Sequence, residues 1–104
     1  MAAAKANHKP AFLDFYADWC LPCKEMELKV FHLPEVAAEL SRFELVKVDC
    51  TQGDDDPVST AAQKQYGAAT LPTLVMIGSD GQVAKKIDHY VEKDEFLSAL
   101  RAIH

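Results

Sequence analysis

Short, nearly continuous apolar runs alternate along the chain with stretches whose apolar residues recur every three or four positions. The first pattern predicts buried strands and the second amphipathic helices. Ala11–Tyr16 (AFLDFY) is almost wholly apolar and reads as a buried central strand. Asp14 interrupts it, on the same side as Phe12 and Tyr16 by strand alternation. Cys23, Met26 and Val30 share a helical face, and Pro22 suits a first turn because its missing N–H has no partner there anyway. The Leu33-Pro34 step breaks or kinks that helix, and Val36, Ala37 and Leu40 continue a helical stripe.

Residues 43–49 (FELVKVD) read as a second strand. The GDDDP turn supplies Asp56 as N-cap and Pro57 as first-turn proline of a helix running to about Tyr66. Thr73–Ile77 (TLVMI) is a third strand. Ser79, Asp80 and Gly81 form a tight turn into a fourth over Val83–Ile87, where Lys85 and Lys86 suit a sheet edge. Phe96, Leu97, Leu100 and Ile103 share one face of a closing helix. The expected order, β-α-β-α-β-β-α, implies an α/β fold with a central mixed four-stranded sheet and helices on both faces. The AAAKA stretch favours helix and stops at Asn7, so 1–9 reads as the tail of a helix beginning further upstream. Without repeats or linker-like segments, 10–104 reads as a single domain.

Composition removes several functions. A chain of 104 residues can bury a core without compulsory disulfides. A net charge of −5 with no basic stripe argues against nucleic acid, and no stretch approaches a membrane span. The first ten residues lack the features of a secretory signal. That leaves the compartment open, because an excised domain or mature form would look the same. Three cysteines are too few for a secreted scaffold, and closing so short a loop as Cys-x-x-Cys removes little unfolded-state entropy.

The chemistry concentrates in residues 18–24, DWCLPCK. With Cys20 at the mouth of a helix, unpaired N–H groups and the helix dipole would stabilise a thiolate, the nucleophile of disulfide exchange. Cys23, one turn on, could resolve the mixed disulfide. The competing readings are half of a zinc site, which lacks a second Cys-x-x-Cys, and an inert pair. Trp19 reads as a shield and partner-contact surface for the dithiol, or as ordinary packing. Burial among aromatic rings should raise the Asp14 pKa and fit it for proton transfer; the plain alternative is a partly solvated strand residue. Asp18, Glu25 and Glu27 put negative charge near the cysteines against Lys24, which favours a reducing rather than an oxidising pair. Cys50 reads as a free buried thiol, with a regulatory or oxidation-prone role as the other reading. His89 reads as a surface histidine or a titrating group near the binding groove.

From Pro10 onward the chain resembles the thioredoxin superfamily, on DFYADWCLPCK, on Leu71-Pro72-Thr73 and on the element order. Within it, the YADWCxxCKEME run, the F…PEV…L that follows and the acidic DCT…DD segment are similar to the C-terminal, periplasmic thioredoxin-like domain of the membrane thiol:disulfide interchange proteins DsbD. The resemblance implies that Cys20 attacks partner disulfides, Cys23 resolves them and Asp14 is the buried acid of the proton relay. It implies a cis bond before Pro72, unless this is a plain trans turn, with Thr70 and Leu71 lining the peptide groove. One departure is that Leu45 falls where thioredoxins carry a lysine near this acid. Lys47, two residues on and on the same side, is the candidate substitute. His89 stands where many relatives have glycine.

The function expected is that of a protein thiol-disulfide oxidoreductase, working as a reductase with no cofactor beyond the Cys20–Cys23 pair and with no metal. Partners would be proteins carrying disulfides or dithiols, with electrons supplied by a membrane-embedded domain of a longer parent. The domain would be a periplasmic monomer. A stand-alone cytoplasmic thioredoxin-like protein is the alternative within the class. The rival outside it is a non-catalytic binding module with vestigial cysteines, against which the joint presence of Trp19, both cysteines, Asp14 and Pro72 argues. A working reductase should also show one exposed, reactive cysteine.

Overall fold

The computed structural model describes residues 9–103, apart from the Asp54 side chain, so the expected N-terminal helical tail lies outside the described residues but for Lys9. Strand β1 (Ala11–Tyr16) leads into helix α1 (Leu21–Met26), a π-helical turn (Glu27–Phe31) and helix α2 (Pro34–Leu40). Strand β2 (Glu44–Asp49), a 3-10 turn (Gly53–Asp55) and helix α3 (Pro57–Tyr66) follow. The hairpin β3 (Thr73–Ile77) and β4 (Val83–Ile87) and helix α4 (Lys93–Arg101) complete the chain. The sheet order is β2-β1-β3-β4, with β1 parallel to β2 and antiparallel to β3, and β3 antiparallel to β4. This is the mixed four-stranded sheet expected from the pattern, in the thioredoxin fold that the resemblance implies, with β1 inside the sheet and the lysine-bearing β4 at an edge.

The first crossover breaks at the expected Leu33-Pro34 step, so two helices stand where the element order counted one. Leu33 takes an extended conformation (φ −67°, ψ 137°) and Pro34 opens α2 as a separate helix, because the residue before a proline is pushed out of the α region. The π turn before it has no counterpart in the hydrophobic spacing. Asp56 caps α3 as expected, accepting from Val58 N at 3.1 Å and Ser59 N at 3.4 Å. Gly67 closes α3 in the left-handed region (φ 65°), where glycine carries no Cβ penalty.

Strand alternation splits the core between the two faces of the sheet. Phe12, Leu74 and Met76 pack under α1, α2 and α4 with Met26, Val36, Phe96 and Leu100. Phe12 meets Phe31, Phe43 and Phe96 edge-on at 6.0, 6.5 and 5.7 Å, a favoured aromatic geometry. Leu13, Phe15, Val75 and Ile77 face α3, joined by Cys50 and Ala68. Among the described residues no helix is long and apolar enough to cross a membrane.

Arg42 ties the end of α4 to this core. Its guanidinium donates to Leu100 O at 2.9 Å and Ile103 O at 3.2 Å, pairs with Glu39 at 3.1 Å and lies over the Phe43 ring at 5.1 Å. It thereby adds donors at the helix end, where Leu100 O also accepts from Ile103 N at 3.2 Å. Arg42→Met keeps the stem and removes the donors, so urea denaturation should show a loss of about 1–2 kcal/mol.

Candidate active site

The site is built where β1 runs into α1. Cys20 is extended (φ −88°, ψ 104°) and occupies the N-cap of α1, with Pro22 in the first turn. Its sulfur accepts from Cys23 N at 3.2 Å, the place a Ser or Asp oxygen takes at ordinary caps. Cys20 and Cys23 form a disulfide with their Cα atoms 5.3 Å apart. Both are buried, at 4% and 7% exposure. The exposed cysteine expected of a working reductase is therefore not present in this disulfide form, in which the pair packs with Ala17 against Tyr16 and Leu71. Once reduced, a thiolate at Cys20 would face the same N–H and the positive end of the helix.

Trp19 is 66% exposed, yet its ring is anchored, with Nε1 donating to Thr51 O at 3.1 Å. The Thr51 hydroxyl accepts from Asp18 N at 2.9 Å and donates to Asp49 Oδ1. Thr51 N donates to the same carboxylate oxygen at 2.9 Å. Bonding to the Thr51 hydroxyl, and then to its N–H, holds the Asp49 carboxyl below its ordinary range. Cys50 N donates to Tyr16 O at 2.6 Å, so the segment after β2 supports the loop before Cys20. The pattern reading did not single out Asp49 or Thr51. Their only signal was the DCT that closes β2 and leads out of it.

Asp14 lies on the α1 face of β1, 8% exposed. Burial is the largest influence on its carboxyl and pushes the pKa from 3.8 to about 6. The Lys47 charge pulls it down and the Glu27 charge pushes it up. Lys47 is the register partner of Asp14 across β1 and β2. Its ammonium lies 3.8 Å from Glu27 Oε1 and 5.1 Å over the Tyr16 ring. Leu45, one Lys47-facing step earlier on β2, is largely exposed and carries no charge. Asp14 lines a groove of about 430 Å³ with an apolar wall of Phe12, Phe31, Leu40 and Leu45, rimmed by Glu27 and Lys47.

The Leu71–Pro72 peptide is cis. Leu71 touches both the cysteine cluster and the α3-side core, Pro72 is buried, and Thr70 is exposed with its carbonyl accepting from the Thr73 hydroxyl. Cys20, Cys23, Trp19 and Leu71 are thus brought to one end of the sheet. His89 is exposed, with Nδ1 3.2 Å from Asp88 and Nε2 4.0 Å from Glu95. Glu25 is 3.9 Å from Lys29, while Lys24 and Asp18 are exposed beside the dithiol. Cys50 is a buried free thiol, pushed up first by burial and then by Asp49. Among the described residues no three His, Cys, Asp or Glu side chains cluster as a metal site would require.

A parallel-antiparallel sheet with a disulfide at the cap of its first helix and a cis-proline loop before β3 defines a thioredoxin-fold disulfide oxidoreductase. The chain belongs to the thioredoxin-like domain family, whose model matches residues 1–104. It is 36% identical over 106 residues to the thiol:disulfide interchange protein DsbD of Vibrio vulnificus, covering 99% of this chain and 17% of that one. DsbD 2 of Pseudomonas aeruginosa is also 36% identical, over 98% of this chain and 17% of its own length. The chain therefore spans about a sixth of these curated relatives. The oxidised C-terminal domain of Neisseria meningitidis DsbD superposes with a TM-score of 0.80 at 32% identity, covering 99% of this chain and 91% of that one. The likeness to DsbD expected from the cysteine region is borne out.

Proposed function

We propose that this domain is a protein-disulfide reductase acting as the C-terminal electron carrier of a DsbD-like protein. The observation that carries the reading is the Cys20–Cys23 disulfide at the cap of α1, with Leu71 against it and cis-Pro72 next in the chain. In the reduced domain the Cys20 thiolate attacks one sulfur of a partner disulfide, and the partner's other sulfur leaves as a thiolate. Cys23, deprotonated, then attacks the Cys20 sulfur. The Cys20–Cys23 disulfide forms, the second partner sulfur is released, and two electrons have passed to the partner. Asp14 takes the Cys23 proton through a water, helped by a pKa of about 6 that lies close to working pH. Thr70, Leu71 and Pro72 present the partner's extended backbone, and Trp19 offers it a flat apolar face. Asp18, Glu25 and Lys24 set the charge around the pair, Lys47 adjusts Asp14, and His89 modulates access from the side.

The dithiol carries both electrons, so the reaction draws on no further cofactor or metal. In the DsbD setting the domain works in the periplasm, is recharged by a membrane-embedded domain of its parent chain and passes electrons to periplasmic partner domains as a monomer. The acidic surroundings of the pair favour the disulfide over the thiolate form and hence a reducing couple. Equilibration against glutathione or dithiothreitol buffers, with Cys50→Ser as control, should place the couple near the thioredoxin value of about −270 mV or moderately above it. A value near −120 mV would make the domain an oxidase, and no titrating couple would leave a binding module.

A further inference from the structure

We infer that Thr51 is a positioning residue of the exchange reaction, fixing Trp19 and the residues before Cys20 as the platform on which a partner protein docks. The inference rests on the proposed reductase reading and deepens it. A tryptophan two-thirds exposed beside a disulfide would ordinarily sample several rotamers, and ordering it on contact would cost affinity. Here one residue holds it in advance. Thr51 O takes the indole N–H at 3.1 Å and the Thr51 hydroxyl takes the Asp18 N–H at 2.9 Å. Two consecutive residues immediately before the nucleophile therefore hang on one threonine.

Thr51 is itself held twice. Its N–H and its hydroxyl both donate to Asp49 Oδ1, so the hydroxyl is used as donor and acceptor at once. A hydroxyl does both through one atom, which a methyl in its place cannot. One residue earlier, Cys50 N donates to Tyr16 O at 2.6 Å, so the brace and the loop leave the sheet in step. Asp49 and Asp18 are exposed, so this network contributes little to the core and much to the shape of the surface around the dithiol.

The test uses pre-reduced protein freed of reductant, mixed in single turnover with insulin or with glutathione disulfide. Oxidation is followed through Trp19, the one tryptophan of the chain. A protein disulfide needs the platform and a small disulfide needs only the sulfur. In Thr51→Val the ratio of the insulin rate to the glutathione disulfide rate should fall about fivefold, the effect of a lost hydrogen bond. Trp19 fluorescence anisotropy should fall with it, and Thr51→Ser should restore both. Asp49→Ala, a surface change, should lower the same ratio and decides the matter if Thr51→Val does not fold. An unchanged ratio in both variants, or a serine variant no better than valine, overturns the inference. If the wild type leaves insulin intact, the reductase reading itself falls and takes the inference with it.

Discussion

Cys23→Ser should accumulate as a mixed disulfide with a disulfide-bearing protein, whereas Cys20→Ser should capture nothing. The asymmetry follows from position on α1. The Cys20 sulfur sits at the cap and accepts the Cys23 N–H at 3.2 Å, so a thiolate there is stabilised by a donor already in place and by the helix dipole. Cys23 sits inside the first turn, where its task is to attack the bond that Cys20 has made. Multiple turnover should fall on the order of a thousandfold or more in either variant, because two residues acting as one unit fail together. Non-reducing electrophoresis followed by mass spectrometry of the captured species separates the two roles. Cys50 should take no part, since burial raises its pKa and keeps it a thiol. Capture by Cys20→Ser through Cys23 would reverse the assignment of nucleophile.

Asp14→Asn should slow the resolving step by about a hundredfold near neutral pH, the usual range for a lost general base. In the wild type the rate of that step should rise as pH increases through about 6, when the carboxyl becomes able to accept a proton. In the variant this inflection should vanish, which stopped-flow mixing at a series of pH values reads directly. Stability should move the other way. The folded pKa lies above the ordinary 3.8, so between these values the unfolded chain has released the proton and the folded chain has not. Stability therefore falls as pH rises from about 4 to about 6 and stays reduced above that. Ionised Asp14 costs the fold at most about 3 kcal/mol, and the groove that lets solvent reach the carboxyl reduces this further. The same Asp14→Asn change should stabilise the protein at neutral pH and make little difference below 3.8. Denaturant titrations of wild type and variant at the two pH values provide the check, and a difference between them that is the same at both would remove Asp14 from the acid–base account.

The conflict that marked Asp14 was legible because an acid inside AFLDFY has no ordinary reason to be there. The start of α3 was legible for a similar local reason, since Asp56 and Pro57 carry the cap and the first turn in adjacent residues. The break at Leu33 followed from proline sterics. Other features depend on how distant segments meet. A threonine after a strand is unremarkable until Trp19 and Asp18 arrive from 32 and 33 residues away. The groove beside Asp14 draws its wall from β1, the π turn, α2 and β2, and no local pattern announces it. The π turn escaped notice because Cys23, Met26 and Val30 fit an unbroken α-helix just as well, and all three are buried.

That π turn makes the stretch between the cysteines and α2 sensitive to length as well as to residue type. A π turn holds one residue more than an α turn, the mark left by an inserted residue. Removing one residue from Glu27–Phe31 would rewind that turn as α-helix and leave Leu21–Met26 close to its present phase, because the π turn already holds the extra residue. Cys23 and Met26 would stay over the sheet, while the wall that Glu27 and Phe31 lend to the Asp14 groove would be redrawn. The residue count of this segment therefore shapes the surroundings of the buried acid more than the placing of the dithiol.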